Sequence, residues 1–279
     1  MNYEAMIDDL NMDYKFFLQE CSIEAIPYNA LNEGAIIDTI KKVFIAIADF
    51  FKGIIKFIKG LFVKSNDIDD NIKQNEKILA EIKANPTGLK VVKNGDEFKV
   101  TIIDKTNLTL HGGVDNLYAQ TAIRYIDKFS SSCDRYIRTG ENKPEEFKVN
   151  EENLDLINNI KNDICKTVEI SPKGNPNWAK DLQEHNESIK KQLEWCEKEM
   201  KTLDSASNRA IVSIKNIEAK FRKEADNGDA ALGQRLNYVV GELNKANKCI
   251  ARSSKSIKEV CSACETAAKS MSAVLNNIK

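Results

Sequence analysis

The sequence predicts a mainly α protein: a long antiparallel coiled-coil helical hairpin joined to a smaller helical region containing one β-hairpin. Three observations carry this. Glycine and proline number only 12 and 5 in 279 residues, so the residue types that most disfavour helix interiors are scarce. An apolar repeat of period 3.5 runs unbroken through the second half. A strongly apolar segment, Gly34 to Lys64, recurs at helical spacing. With 42% hydrophobic residues the chain can bury a sizeable core, so a folded protein is expected.

Residues 1–33 read as an acidic, leader-like segment. Glu4, Asp8, Asp9, Asp13, Glu20, Glu24 and Glu33 stand against Lys15 alone. Met6, Leu10, Met12, Tyr14, Phe16, Phe17 and Leu18 interleave with the acids, as in a short amphipathic helix ending before Pro27. Pro27 to Glu33 reads as a linker. The charge then reverses through Lys41, Lys42, Lys52, Lys56, Lys59 and Lys64 against Asp38 and Asp49, which marks a boundary.

Residues 34–64 form the most unusual segment. Ile36, Ile40, Phe44, Ile47, Phe51, Ile54, Phe57, Ile58, Leu61 and Phe62 cover about two thirds of a helix's circumference, more than a surface helix needs. Lys52, Lys56 and Lys59 lie on the narrow polar face and keep the segment from spanning a bilayer. It is expected either as a core helix, as a basic amphipathic helix engaging an anionic membrane interface, or as the filler of a partner's groove.

Residues 65–176 are expected to form a small α+β region. A polar helix near Asp67 to Ala84 precedes Leu89, Val91 and Val92, then Asn94-Gly95, then Phe98, Val100, Ile102 and Ile103. That alternation around a two-residue turn predicts a β-hairpin near 89–103. His111-Gly112-Gly113 reads as a closing turn, Val114 to Arg138 as a helix, and Thr139 to Lys148 as a polar loop. Glu151 to Val168 reads as another helix, stopping before Pro172 and Pro176.

From 177 to 279 the pattern can be followed position by position. Leu182, Asn186, Ile189, Leu193, Cys196, Met200, Leu203, Ser207, Ala210, Ile214, Ile217 and Phe221 alternate steps of four and three. Asp226-Asn227-Gly228-Asp229 supplies a turn. The alternation resumes through Leu232, Leu236, Val239, Leu243, Ala246, Ile250, Ser253, Ile257, Val260, Cys264, Ala267, Met271, Val274 and Ile278. Two such helices with so short a connection must run antiparallel, each roughly 75 Å long. Their small seam residues permit close approach but bury little area each, so further helices are expected to cover them.

Catalytic constellations are largely missing, and no enzyme activity, cofactor or metal is expected. Cys261-Ser262-Ala263-Cys264 is a single CxxC pair within a helix; a structural zinc needs a second ligand pair, which neither His111 nor His185 supplies. Cys264 reads instead as a seam residue and Cys261 as its neighbour. His111-Gly112-Gly113 resembles an oxyanion-hole loop, but no GxSxG elbow accompanies it, and phosphate-binding GxxxxGK and GxGxxG loops are missing too. Glu145 and Glu146, like Glu151 and Glu152, sit in polar runs facing solvent. Trp178 and Trp195 are expected where the hairpin meets the rest of the fold. A formal charge of −1, with acids alternating among the lysines, predicts no specific nucleic-acid binding. Seven cysteines at irregular spacing without a secretory signal read as thiols in a reducing compartment, and no segment has the length and apolarity of a membrane span.

The junction of the first two segments carries one resemblance. Leu31-Asn32-Glu33 before Gly34 resembles the Leu/Ile-x-Glu cleavage signal of prohead maturation proteases in tailed, T4-like bacteriophages, and Leu18-Gln19-Glu20 has the same form. The acidic segment with Tyr14-Lys15-Phe16-Phe17 is similar to the capsid-targeting leader of internal head proteins. The resemblance covers about the first 64 residues. It implies recognition of Leu31 and Glu33 and cleavage at Glu33-Gly34. It further implies a non-enzymatic virion protein, made in the cytoplasm and packaged in the capsid interior, with other virion or scaffold proteins as partners, possible oligomerisation, and membrane engagement at genome ejection. The alternatives are a membrane-active effector or pore-former with an acidic N-terminal shield, and a cytoplasmic helical scaffold.

Overall fold

The computed structural model describes residues 33–85, 97–148, 164–172, 175–226 and 231–278, with the backbone alone for 33–35 and 105–118. Four helices and two strands occur among them: α1 (Glu33–Ala84), β1 (Phe98–Ile103), α2 (Lys105–Thr139), β2 (Cys165–Ile170), α3 (Trp178–Ala225) and α4 (Leu232–Ile278). The protein is mainly α with one small antiparallel sheet, as its composition predicts. The acidic helix expected before residue 33 and the turn at 227–229 lie outside the described residues.

α1 is one helix of 52 residues in place of two expected ones. No glycine or proline interrupts Ser65-Asn66-Asp67, and Leu61, Ser65, Ile68, Ile72 and Asn75 are all buried, so the inward stripe continues past the expected end at Lys64. α2 begins at Lys105 and carries Gly112 and Gly113 inside it, which replaces the turn expected at 111–113; two glycines cost a helix of 35 residues roughly 1 kcal/mol each without breaking it. α2 ends where Gly140, at φ 77°, donates its N–H to the Tyr136 carbonyl at 2.8 Å, the left-handed stop that glycine adopts without a Cβ penalty. The loop after it is irregular, as expected.

The sheet corrects the reading of two segments. Phe98–Ile103 is a strand, but its partner is Cys165–Ile170, antiparallel, in the register Phe98↔Ile170 through Ile103↔Cys165. The expected first arm, Leu89 to Val92, lies outside the described residues. Residues 165–168 were expected to end a helix begun at Glu151. They form β2 instead, because Thr167, Val168 and Ile170 suit a pleated surface and find Thr101, Val100 and Phe98 opposite; residues 151–163 are outside the described set.

Two compact units divide the chain. The first takes residues up to Gly60, Asn116–Leu154 and Thr202–Ser254; the second takes Leu61–Asp115, Asp155–Lys201 and Lys255–Lys279. In the first, the α1 segment supplies Ile40, Phe44, Ile47, Phe51, Ile54 and Ile58 to the core, and Phe44 meets Phe221 with ring centroids 5.8 Å apart. α2 is tied to α3 by Ser130 and Ser213: the Ser130 hydroxyl donates to the Ser213 carbonyl at 3.1 Å, and the Ser213 hydroxyl to Asp127 at 2.9 Å.

In the second unit α3 runs antiparallel to α1 and α4. Ser65 pairs with Glu197 while Glu76 pairs with Lys190, and Cys264 lies against the Ile189 carbonyl. The sheet lies against α4: the Thr101 N–H donates to the Ser270 hydroxyl at 2.9 Å. Ile78, Leu79, Ile82, Val100, Ile170, Trp178, Leu182, Met271, Leu275 and Ile278 close one core cluster. Asn175 caps the entry to α3, its Oδ1 accepting the Asn177 N–H at 2.8 Å with Pro176 between them.

Every position of the two 3.5-period seams described above is buried. α4 buries a second row beside its seam, including Arg235, Val240, Glu242, Asn247, Cys249, Ser254, Cys261 and Ala268. A helix buried over so broad a face is contacted from more than one side.

Candidate functional site

Of the expected processing residues, Leu31 lies outside the described set, while Glu33 and Gly34 are the first two residues of α1. The apolar face expected to meet a membrane or partner is filled by the protein itself. Ile40, Phe44, Ile47, Phe51, Ile54, Phe57 and Ile58 are buried in the first unit and Leu61 in the second; Phe62 is half-buried, and Lys52, Lys56 and Lys59 are exposed. Lys52 pairs with Asp49 at 2.7 Å on that solvent face. The structure thus brings the apolar residues together as core and leaves the lysines outside it. No described helix is long and apolar enough to cross a membrane.

A second cluster, not singled out by sequence, lies in the first unit where the 140–148 loop crosses α2 and α4. Glu242, only 3% exposed, accepts the Phe147 backbone N–H at 2.5 Å, the Lys245 ammonium at 2.7 Å and the Tyr125 hydroxyl at 3.4 Å. The Tyr238 hydroxyl donates to the Pro144 carbonyl at 2.6 Å, and Lys143 stands 4.0 Å over the Tyr238 ring. Tyr125 stacks at 4.8 Å on Phe147 and at 5.2 Å on Phe129. These contacts strap the loop down and leave an open recess of about 700 Å³ lined by Tyr125, Lys143, Glu146, Phe147 and Tyr238 among others.

Burial, reinforced by the Glu242 carboxylate, pushes Tyr125 well above the ordinary tyrosine range and Tyr238 up to about 12. Both phenols therefore stay protonated at neutral pH and serve as hydrogen-bond donors. The available signal was Phe147, an aromatic residue in an otherwise charged loop.

The cysteines follow the seam reading. Cys261 and Cys264 are wholly buried, as are Cys133 and Cys196. Burial pushes the Cys261 thiol up to about 12 and Cys133 up to about 11, so neither is a nucleophile at neutral pH. Among the described residues no group of three or more His, Cys, Asp or Glu side chains is arranged to hold a metal ion. Trp178 is buried and meets Phe98 edge-on at 6.1 Å; Trp195 is half-buried.

No family model, no curated protein and no solved structure matches the chain.

Proposed function

We propose that the protein is a non-enzymatic structural component of a tailed-bacteriophage virion, an internal, capsid-associated protein that works by packing and partner contact. The observation that carries a structural role is the uninterrupted burial of both long seams, which commits the side chains of α3 and α4 to holding helices together. The virion assignment draws on the Leu31-Asn32-Glu33-Gly34 junction. It is supported by the burial of Ile36 and Ile40, because cleavage after Glu33 would remove the acidic segment while sparing the buried residues of α1. Other virion or scaffold proteins are the partners this reading calls for.

The test is the intact mass and N-terminal sequence of the protein isolated from its native source, virions included. A mature form beginning at Gly34 supports the reading. A chain in virions that retains Met1 overturns processing, and absence of the chain from particles overturns the virion assignment.

The burial of Ile40, Phe44, Phe51 and Ile54 favours, as the second reading, a cytoplasmic helical scaffold over a membrane-active effector. Membrane engagement under either assignment would require the first unit to open. Flotation with vesicles containing anionic lipid tests it: binding only after residues 1–33 are removed would support a shielded membrane helix, and no binding by either form would remove membrane engagement from the proposal.

A further inference from the structure

The recess beside the 140–148 loop holds a positive charge on an aromatic face, and the charge comes from the loop itself. Lys143 Nζ stands 4.0 Å from the centroid of the Tyr238 ring and 3.7 Å from Glu146 Oε1, an ion-pair contact longer than a hydrogen bond. A cation so close to a tyrosine face is attracted by the ring's quadrupole. The ring itself is held from two sides: its hydroxyl donates to the Pro144 carbonyl at 2.6 Å, and Tyr136 meets it edge-on with centroids 5.3 Å apart. Nearby charges are already matched, Glu145 by Lys128 at 3.4 Å and Glu242 by Lys245 at 2.7 Å. Glu146 is therefore the carboxylate that answers the cation on Tyr238.

We propose that this recess is a binding site for an arginine side chain of a partner protein, whose guanidinium stacks on Tyr238 and pairs with Glu146 in the place that Lys143 holds in the free chain. Lys143 and Glu146 are each more than half exposed, and an exposed pair contributes little to stability, so the lysine leaves at small cost. The space around it is open, about 700 Å³, with Tyr125 and Phe147 beside Tyr238 in its lining. That is room for the apolar stem of a long side chain as well as its charge.

Guanidinium suits the geometry better than a second ammonium. It is planar and weakly hydrated, so it lies flat on an aromatic ring while its N–H groups, all in that plane, reach a carboxylate at the ring's edge. The field has the matching sign: after burial, the Glu242 and Glu146 carboxylates raise both the Tyr125 and the Tyr238 phenols. Lys148 also lines the recess and sets a limit on how much positive charge a partner can bring. A single arginine fits that limit better than a basic cluster. The site does not depend on the virion assignment, which the mature N-terminus tests separately.

The experiment titrates the full chain, labelled with nitrogen-15, with the peptide acetyl-Gly-Arg-Gly-amide at constant ionic strength and follows the backbone amide resonances. Two further peptides carry lysine or the neutral isostere citrulline in place of arginine. The expected result is a saturable shift of the Lys143, Glu146, Phe147 and Tyr238 resonances with the arginine peptide, weaker binding of the lysine peptide and none of the citrulline peptide. Lys143→Met removes the internal competitor and should tighten arginine binding several-fold. Glu146→Gln, a change at an exposed position, should weaken it several-fold, as should Tyr238→Leu. If Tyr238→Leu loosens the loop, Glu146→Gln decides alone. Equal binding of the arginine and citrulline peptides, tighter binding of lysine than of arginine, or no shift of these resonances in Lys143→Met would each overturn the site.

Discussion

Asn75 and Asn186 meet as an amide pair inside the second unit, the Asn75 side-chain nitrogen donating to Asn186 Oδ1 at 3.4 Å. Neither is more than 1% exposed. The pair is part of a closed network: Asn75 also donates to the Ala268 carbonyl at 3.3 Å, Ser272 donates to Asn75 Oδ1 at 2.8 Å, and Asn186 donates to the Ile72 carbonyl at 3.3 Å. α1, α3 and α4 are locked in one register by groups that satisfy each other only in that register, the use of buried polar residues best attested in helical assemblies. Asn75→Ala strands several buried partners and should lower stability by about 2–3 kcal/mol. The double change Asn75→Leu with Asn186→Leu should cost less than the sum of the two singles. Urea unfolding of the four-member cycle reads the coupling, and strict additivity would show that the amides act independently.

Phe51 and Ile45 share one helix and the first unit but have opposite surroundings. Phe51 is 0% exposed and Ile45 54%. Phe51→Asp places an unpaired carboxylate in the core and should abolish folding of the first unit, while Phe51→Ala should cost about 3–5 kcal/mol. Ile45→Asp should cost under about 1 kcal/mol. Thermal unfolding of the three variants distinguishes a core helix from one held loosely against the fold. A Phe51→Asp protein as stable as wild type would mean that this face is not core in solution.

Tyr238 sets an alkaline limit on the first unit. Its folded-state pKa is raised to about 12, by burial first and the Glu242 carboxylate second, whereas an unfolded tyrosine titrates near 10. Above pH of about 10 the unfolded chain sheds this proton while the folded chain retains it, so the unfolded state binds fewer protons and stability falls as pH rises. The contribution is complete below pH of about 10 and is lost as pH rises through about 12. Tyr125, raised further for the same reasons, acts in the same direction. Urea midpoints measured from pH 8 to pH 11 should decline in wild type and decline less in Tyr238→Phe. Equal slopes would mean that another group controls alkaline unfolding.

The sequence makes the seams legible because period 3.5 is a property of one helix facing one neighbour, and every residue from Leu182 to Phe221 and from Leu232 to Ile278 that fits the period is buried. It does not reveal the second buried row of α4. Arg235, Glu242 and Asn247 look like surface residues, and only contact from another side takes them inward. The same reason hides the Glu242 cluster, whose members come from α2, a charged loop and α4. Strand β2 escapes because Cys165 to Ile170 is short enough to fit a helical pattern equally well, and its pairing with β1 across more than sixty residues decides the matter. Phe51 and Lys52 were readable as a core side and a solvent side of one helix. Whether the apolar side met protein or lipid was not, since both are equally apolar to the sequence.

Asn247 offers the opposite case to Asn75. Its side chain is 0% exposed, and neither amide atom has a hydrogen-bond partner among the described residues. A buried amide left without a hydrogen-bond partner costs roughly 1–3 kcal/mol relative to one that is paired, and the neighbouring seam already supplies Leu243, Ala246 and Ile250 as apolar positions on the same helix. Asn247→Leu, close in volume and free of polar atoms, should therefore raise stability by about 1–2 kcal/mol, while Asn247→Ala should gain less because it leaves a void. Ser207, also 0% exposed and without a hydrogen-bond partner among the described residues, should tolerate Ser207→Ala at little cost. Urea midpoints of the three variants read the difference directly. A loss of stability in Asn247→Leu would mean that the amide makes hydrogen bonds in solution, to water or to a partner, and that this position of α4 is a polar contact rather than a defect in the core.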